Sequence, residues 1–470
     1  MSVREKLINF QVTMSATNLK TTLRYLSSHK AVAAINIFGM AVGLTVFYFA
    51  LVYIKFETSY DKFHAKSDRI YRLVTNVHTS NGTNCESAPA AMAYALQKDF
   101  PQVEATTRIF LDDYIFLVDG KNFGTVPLAY ADSTLFDIFD FQLIGGNRET
   151  VFRDPFSAVI STTAAQKYFG STNCIGKTIL LNGELPAKVT GIMRDIPANS
   201  HIKRDVFLSM STLLTKDRQY LVRDWNRYGF YTYVLLKHGA NAKQIEKKLP
   251  SFIARNSSAT TVRQQLALEL LADVYLKGRP RGSKAGSTDH GSESRLYVFT
   301  LVAIVVLLMA CFNFVNLTTA FSLYRAKEIS MRKILGAGKG QLVMQFLTDA
   351  IVISAMGFVL AMVLSQLLIP FFNLLTGKVI VSSIFSFGPL AIILLGISIL
   401  VGILSGLYPA FVLSTYPAVK SSVAPIVTRF NILRKALVVT QFIFSILLIF
   451  GLIVIARQVH YMQNEDLGFN

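Results

Sequence analysis

The stretch AVAAINIFGMAVGLTVFYFALVYI fills residues 31–54 without a single charged side chain. At about 1.5 Å per residue it is long enough, as a helix, to cross a hydrocarbon core roughly 30 Å thick. It is not a cleaved leader: 30 mostly polar residues precede it, no small-residue cleavage site follows, and Lys55, Glu57 and Asp61 come directly after. Charge-free runs of the same kind occupy 296–320, 389–413 and 436–456, and 342–369 carries one acid, Asp349. One such run could be a buried core helix, but five with basic flanks predict a membrane protein built on an α-helical transmembrane bundle of five spans.

Composition agrees. The chain has 470 residues, 52% of them hydrophobic, and only 16% are charged, against about 25% in ordinary soluble domains. Its formal charge of +18 comes from 47 Lys and Arg against 29 Asp and Glu. A nucleic-acid binder adds basic residues to a polar surface, which this chain does not do, so nucleic acid is excluded as a partner. The 35 Phe and 19 Tyr exclude disorder, and three Cys exclude a disulfide-dense scaffold.

The short-loop charges set the orientation. Residues 1–30 hold Arg4, Lys6, Lys20, Arg24 and Lys30; residues 321–341 hold Arg325, Lys327, Arg332, Lys333 and Lys339. Residues 414–435 hold Lys420, Arg429, Arg434 and Lys435, whereas the loop at 370–388 has only Lys378. The basic side is cytoplasmic. The N-terminus is therefore inside, and residues 1–30 form an amphipathic helix lying on membrane lipid through Leu7, Phe10, Met14, Leu19 and Leu23. Residues 55–295 lie outside as one large α+β domain between spans one and two.

That domain alternates helix-like stretches at 88–100, 162–170 and 241–256 with strand-like ones at 107–118, 177–194 and 230–236. A turn is expected at Asn182–Gly183. Residues 278–294 read as a linker, 414–435 as a cytoplasmic loop, and 457–470 as the beginning of a second external segment.

No catalytic or cofactor constellation emerges, and the expectation is a non-enzyme without cofactor or metal. The segment GSTNCIGKT at 170–178 has five residues where the phosphate-binding loop needs four, and a hairpin rather than a helix follows it. The seven His show no metal-ligand spacing, and there is no GxSxG elbow. Cys85 and Cys174 are both external and could pair, although sequence gives no geometry; Cys311 is in a span. Asp349, the lone intramembrane acid, is two turns from the cytoplasmic end of its span, where it can approach the interface or pair with a basic residue such as Arg434; a structural ion pair is the reading, and an ion or proton relay the alternative.

The most specific stretch is YRAKEISMRKILGAGKGQLVMQFLTDA at 324–350. Glu328 and Arg332 are four apart and can pair on a helix; Ile329, Lys333 and Gly336 follow an adjoining stripe; Gly336 and Gly338 then break the chain. A charged, ordered helix between two spans is more than positive-inside anchoring calls for.

This stretch resembles the coupling region of the MacB/FtsX-type ABC transporter permeases, whose R-x-x-E-I-x-x-R-K-x-x-G-A pattern is matched by Arg325, Glu328, Ile329, Arg332, Lys333, Gly336 and Ala337. GILSGLYPAFVLSTYP at 402–417, LRKALVVTQF at 433–442 and GKTILLNGELPAKVTGIMRDIPANSH at 176–201 resemble further parts of the same family in the same order. The resemblance implies a bacterial inner-membrane permease subunit with a periplasmic core domain and a separate cytoplasmic ATPase docked on the coupling helix. Movement of the periplasmic domain would do work on an export substrate, lipoprotein or peptide. A periplasmic adaptor and an outer-membrane channel are partners it allows. An FtsX-like regulator of a periplasmic cell-wall hydrolase is the alternative.

The fifth span departs from the family's four-span members. It looks like the first span of a second unit, as in the duplicated eight-span variant, so this chain is expected to be the N-terminal half or a truncated form. It would then need a second permease half or a homodimer.

Overall fold

The computed structural model describes residues 22, 24, 26–79, 82–215, 218–256, 263–278, 290–335, 338–378, 380, 388–414 and 424–464. It divides into two compact units, residues 1–55 with 296–470, and residues 56–295.

Among the described residues, five helices are long and apolar enough to cross a membrane. They are α1 (Lys30–Glu57), α2 (Glu293–Ile334), α3 (Lys339–Thr376), α4 (Gly388–Ser414) and α5 (Ala424–Asn464). Their bounds differ from the hydropathy reading in instructive ways. Span two and the expected coupling helix at 321–341 are one unbroken helix of 42 residues, about 63 Å long. No Gly or Pro stands between Glu293 and Ile334, so nothing in the chain interrupts the hydrogen-bond ladder. α3 continues through Pro370 and stops only at Gly377, whose left-handed backbone (φ 65°) lets its N–H cap the Leu374 carbonyl. Within the expected 414–435 loop, helix begins at Ala424, with Pro425 in the first turn, where its missing N–H costs nothing. The N-terminal helix expected over 1–30 falls almost wholly outside the described residues.

Side-chain size governs how these helices pack. On α1, Met40, Ala41, Leu44, Tyr48 and Val52 are buried, while Ile35, Phe38 and Val42 on the opposite face are exposed to what would be lipid. α3 buries a stripe that includes Phe346, Ala350, Ser354, Gly357 and Ala361, and Thr45 on α1 donates to the Ala361 carbonyl at 3.4 Å. Lipid tails provide no hydrophobic gain on helix association, so close backbone approach and interhelical hydrogen bonds must supply it. A Cβ placed on Gly43 of α1 would come within 2.6 Å of the Ala310 Cβ on α2, and one on Gly406 of α4 within 2.6 Å of the Ala350 Cβ on α3. Ser354 and Ser398 lock α3 to α4: the Ser354 hydroxyl donates to the Ser398 carbonyl, and the Ser398 hydroxyl donates to the Ser354 carbonyl at 2.9 Å.

The second unit is strand-rich. Its eleven-stranded mixed sheet comprises β1 (Ile70–Thr79), β2 (Gly82–Ser87), β3 (Val103–Val118), β4 (Lys121–Ala131), β5 (Leu143–Gly145), β6 (Ser157–Ser161), β7 (Thr178–Leu181), β8 (Leu185–Met193), β9 (Val206–Ser209), β10 (Phe230–Leu236) and β11 (Arg263–Leu270). The principal order is β11-β1-β10-β3-β4-β9-β6-β8-β5. The β7–β8 hairpin turns at Asn182–Gly183, both with positive φ, as an Asn-Gly turn requires. β7 also pairs with the far end of β3, Phe116 opposite Leu181. That second pairing closes β3-β4-β9-β6-β8-β7 into a ring.

Strand alternation then sorts the residues. Tyr114, Phe116, Leu128, Ile160, Val189 and Leu208 belong to a core on one face of the ring strands, and the helix Thr162–Phe169 packs Ala164, Ala165 and Tyr168 against it. The intervening Ile109, Leu111, Ala129, Val159 and Phe207 join a second core with Phe136, Phe139, Phe141 and Phe152. A third core lies under β1, β10 and β11, covered by the helix Ala91–Asp99 and by two short helices. The single helix expected at 241–256 is these two, Ala242–Glu246 and Leu249–Asn256. Pro250 fits the first turn of a helix but not its interior, so the chain restarts there.

Candidate functional site

α2 runs 14 residues, about 21 Å, beyond the end of its apolar portion at Ala320. Arg325, Glu328, Ile329 and Arg332 all lie on this extension, and Glu328 and Arg332 are one turn apart on it. Their side chains, and the whole of Gly336 and Ala337, fall outside the described residues. Lys333 is described: it is half-buried, and burial and the nearby Lys339 charge hold its ammonium below the usual lysine range. Gly338 precedes the first turn of α3 and donates its N–H to the Gln341 side chain at 3.2 Å.

The end of α2 also carries an apolar surface that charge-based reading overlooked. Met331, Ile334 and Leu335 are 65%, 70% and 83% exposed, although they lie well past the apolar portion of the helix. Together they form an exposed apolar patch beside the charged residues. Their alternation with Arg332 and Lys333 was the available signal.

Asp349 is 7% exposed, on the buried stripe of α3, and accepts a hydrogen bond from the Thr22 hydroxyl, itself 1% exposed. The acid thus ties α3 to the segment that precedes α1. One turn before it, Phe346 packs with Leu342 and Ala410 of α4.

Within the second unit, the residues that follow α1 are held by a buried polar network. Asp61 is fully buried with φ 56°, a conformation Asp tolerates better than most residues. Its carboxylate accepts from the Ser200 hydroxyl at 3.1 Å, the His201 N–H at 3.2 Å and His201 Nδ1 at 2.7 Å. His201 Nε2 is 2.6 Å from the Tyr233 hydroxyl, whose ionisation burial pushes far up, so it remains an O–H donor. Asn199 Nδ2 donates to the Ser59 carbonyl at 3.1 Å. The DIPANSH segment at 195–201 therefore fastens the chain leaving α1 to the domain.

Beside it, Tyr60 stacks on Tyr275 with ring centroids 3.3 Å apart, and the Tyr275 hydroxyl donates to Glu57 at 2.7 Å. The Tyr275 carbonyl accepts from the Gly291 N–H at 2.9 Å, two residues before α2 begins. The entry and exit of the domain thus meet on one tyrosine.

The stretch 170–178 is not a phosphate loop here. Gly170, in the left-handed conformation, ends the helix Thr162–Phe169, and the Gly176 N–H goes to the Val189 carbonyl at 2.7 Å. Cys174 is a buried free thiol that burial pushes up, so the expected possibility of a Cys85–Cys174 bridge is not realised.

Comparison with known proteins bears on both units. A model of the MacB-like periplasmic core domain matches residues 33–252, and one of the FtsX-like permease C-terminal region matches 300–418, most of the chain between them. A macrolide export ATP-binding/permease protein MacB from Bdellovibrio bacteriovorus is 25% identical over 256 residues, 54% of this chain and 36% of that one. The protein of the same name from Campylobacter jejuni is 22% identical over 278 residues, 58% of this chain and 38% of that one. The crystal structure of the periplasmic region of MacB from Actinobacillus actinomycetemcomitans is 19% identical, with a TM-score of 0.33, over 42% of this chain and 88% of that one. This chain spans little more than a third of the length of those two curated relatives. The apolar helices, the strand-rich domain inserted after the first of them and both family matches agree: the chain belongs to the MacB/FtsX-type ABC transporter permeases.

Proposed function

We propose that the chain converts ATP hydrolysis by a separate cytoplasmic ABC ATPase into movement of its large domain on the other side of the inner membrane. Its N-terminus is cytoplasmic, and residues 55–295 are periplasmic. The ATPase docks on the projecting end of α2. There Arg325, Glu328, Arg332 and Lys333 supply charge, Met331, Ile334 and Leu335 supply apolar contact, and Gly336 and Ala337 complete the coupling pattern.

The observation that carries this reading is the unbroken α2. A single helix of 42 residues joins the docking segment to Glu293, two residues after the Gly291 contact with Tyr275. A helix without Gly or Pro transmits an axial or tilting displacement instead of absorbing it at a hinge. The work is export, or the handling of a lipoprotein or peptide, with a second permease half or a second copy completing the assembly. A periplasmic adaptor and an outer-membrane channel would extend it.

The test is co-purification. Glu328→Arg combined with Arg332→Glu is expected to abolish recovery of the cognate ATPase and its stimulated ATP hydrolysis, with membrane insertion intact. Association and stimulation equal to the unaltered chain would refute the docking assignment.

A further inference from the structure

β11 ends the sheet: it pairs along β1, and no other described strand lies on its far side. The outward-facing groups follow from the register. The Leu268 N–H is taken by the Glu246 carboxylate at 2.9 Å, from the neighbouring helix, so it points away from β1. Backbone groups alternate in direction along an antiparallel strand. Those of Ala267 and Glu269 therefore turn to Val74 and Arg72 on β1, while those of Leu266 and Gln264 face outward with Leu268. An open strand edge is a template for another strand, and proteins ordinarily cover or blunt it.

Here Glu246 caps the edge at Leu268 alone, and the rest of it borders a groove. Two cavities of about 740 and 660 Å³ lie along β11 and share Lys243 and Glu246 in their walls. Pro250 and Ile253 add an apolar wall, and Leu266 and Leu268 line the strand side. The amide oxygen of Gln264, buried at one end, has no hydrogen-bond partner among the described residues. The charge left over is positive. Glu269 is paired with Arg72 at 2.7 Å and Asp273 with Lys277 at 2.9 Å, which leaves the one Glu246 carboxylate, still anionic on the Leu268 N–H, against two lysines. Lys243 and Lys247 are exposed and take part in no ion pair among the described residues.

We propose that this edge is a β-augmentation site for an extended acidic peptide segment of a partner protein. The segment adds as a strand beside β11, and one of its carbonyls replaces the Glu246 carboxylate on the Leu268 N–H. Its acidic side chains meet Lys243 and Lys247, and the apolar residues between them meet Pro250 and Ile253. In this recognition mode main-chain bonds give affinity and alternate side chains give specificity. The eight residues of β11 span about 26 Å, room for a segment of similar length. The site stands apart from ATPase docking and does not depend on it.

The test uses the full chain in detergent micelles and a fluorescein-labelled octapeptide of alternating Glu and Val, followed by anisotropy. Two controls are the alternating Lys and Val octapeptide and the Glu and Val peptide with alternate backbone nitrogens methylated. The acidic peptide is expected to bind, and both controls at least tenfold more weakly. Lys243→Glu with Lys247→Glu should weaken acidic-peptide binding at least tenfold. So should Leu268→Pro, which removes the outward N–H, with its Glu246 bond and a leucine packed on the third core, but spares the N–H groups that pair with β1. If the proline variant does not fold, the surface lysine pair decides alone. No binding of the acidic peptide, equal binding of either control, or equal binding by the lysine variant overturns the proposal. So does concentration-dependent self-association in sedimentation that Leu268→Pro removes, which would make the occupant a second copy of this chain.

Discussion

His64 gives the external domain a pH dependence whose size follows from its surroundings. Its side chain is fully buried, with Phe63, Phe139 and Phe141 at centroid distances of 4.1, 5.1 and 5.3 Å. Nδ1 accepts the Asp140 N–H at 3.0 Å, so the ring proton sits on Nε2, which is buried and meets no partner among the described residues. Burial therefore lowers its pKa from 6.5 to about 4, against the opposing pull of Asp61 and Asp140. The folded state binds this proton more weakly than the unfolded chain does. The stabilising contribution is complete above about pH 6.5 and is lost as pH falls toward 4. Over the whole window it amounts to about 3 kcal/mol, and between pH 7 and pH 5 to about 2 kcal/mol.

Trp225, the chain's one tryptophan, lies against the third core and reports unfolding of this domain by fluorescence. Urea titrations at pH 7 and pH 5 should show the unaltered chain losing about 2 kcal/mol more than His64→Gln, whose side chain does not titrate. Equal losses in the two proteins would refute the assignment of a buried neutral imidazole.

Other outcomes follow from the packing. Gly43→Leu and Gly406→Leu push a side chain into Ala310 and Ala350 and should each destabilise the helix bundle by about 1–3 kcal/mol, read as a lower melting temperature in micelles. Ser354→Ala should cost about 0.6 kcal/mol by loss of an interhelical hydrogen bond, and a larger loss would mean the serine pair does more than join α3 to α4. Leu335→Asp, at a position 83% exposed, should leave the melting temperature unchanged and reduce ATPase recovery. A cysteine at Ser287 should react with an impermeant maleimide from outside intact cells and one at Ser330 should not; the reverse pattern would invert the topology.

The sequence disclosed those features whose cause is local. A run such as 31–54 is apolar within its own window, the 230–236 strand is all β-branched, aromatic or leucine, and Asn182–Gly183 carries its turn in two residues. The ring closure was illegible because Phe116 and Leu181 are distant in sequence and their pairing depends on everything between them. The same holds for Asp61 and His201, which look like ordinary polar loop residues until the fold brings them to 2.7 Å. The pattern at 325–337 that resembles the family's coupling region is legible in the sequence. Continuity of the helix that carries its charged residues lay in an absence, no Gly or Pro over 42 positions, which hydropathy does not register. The apolar Met331, Ile334 and Leu335 were masked in the same reading by the charges around them.

If α2 carries displacement from an ATPase-docked end to the external domain, breaking the helix between the two must abolish it. Ser294 is exposed at the outer end of α2, and a cysteine there, with Cys85, Cys174 and Cys311 replaced, reports its surroundings through its labelling rate. With the cognate ATPase bound in nanodiscs, a non-hydrolysable ATP analogue should change that rate several-fold. Adding Ser322→Pro, which interrupts the hydrogen-bond ladder of α2, should remove the change while leaving the ATPase bound. A rate insensitive to nucleotide in the unbroken helix, or an equal response in the proline variant, would contradict the account.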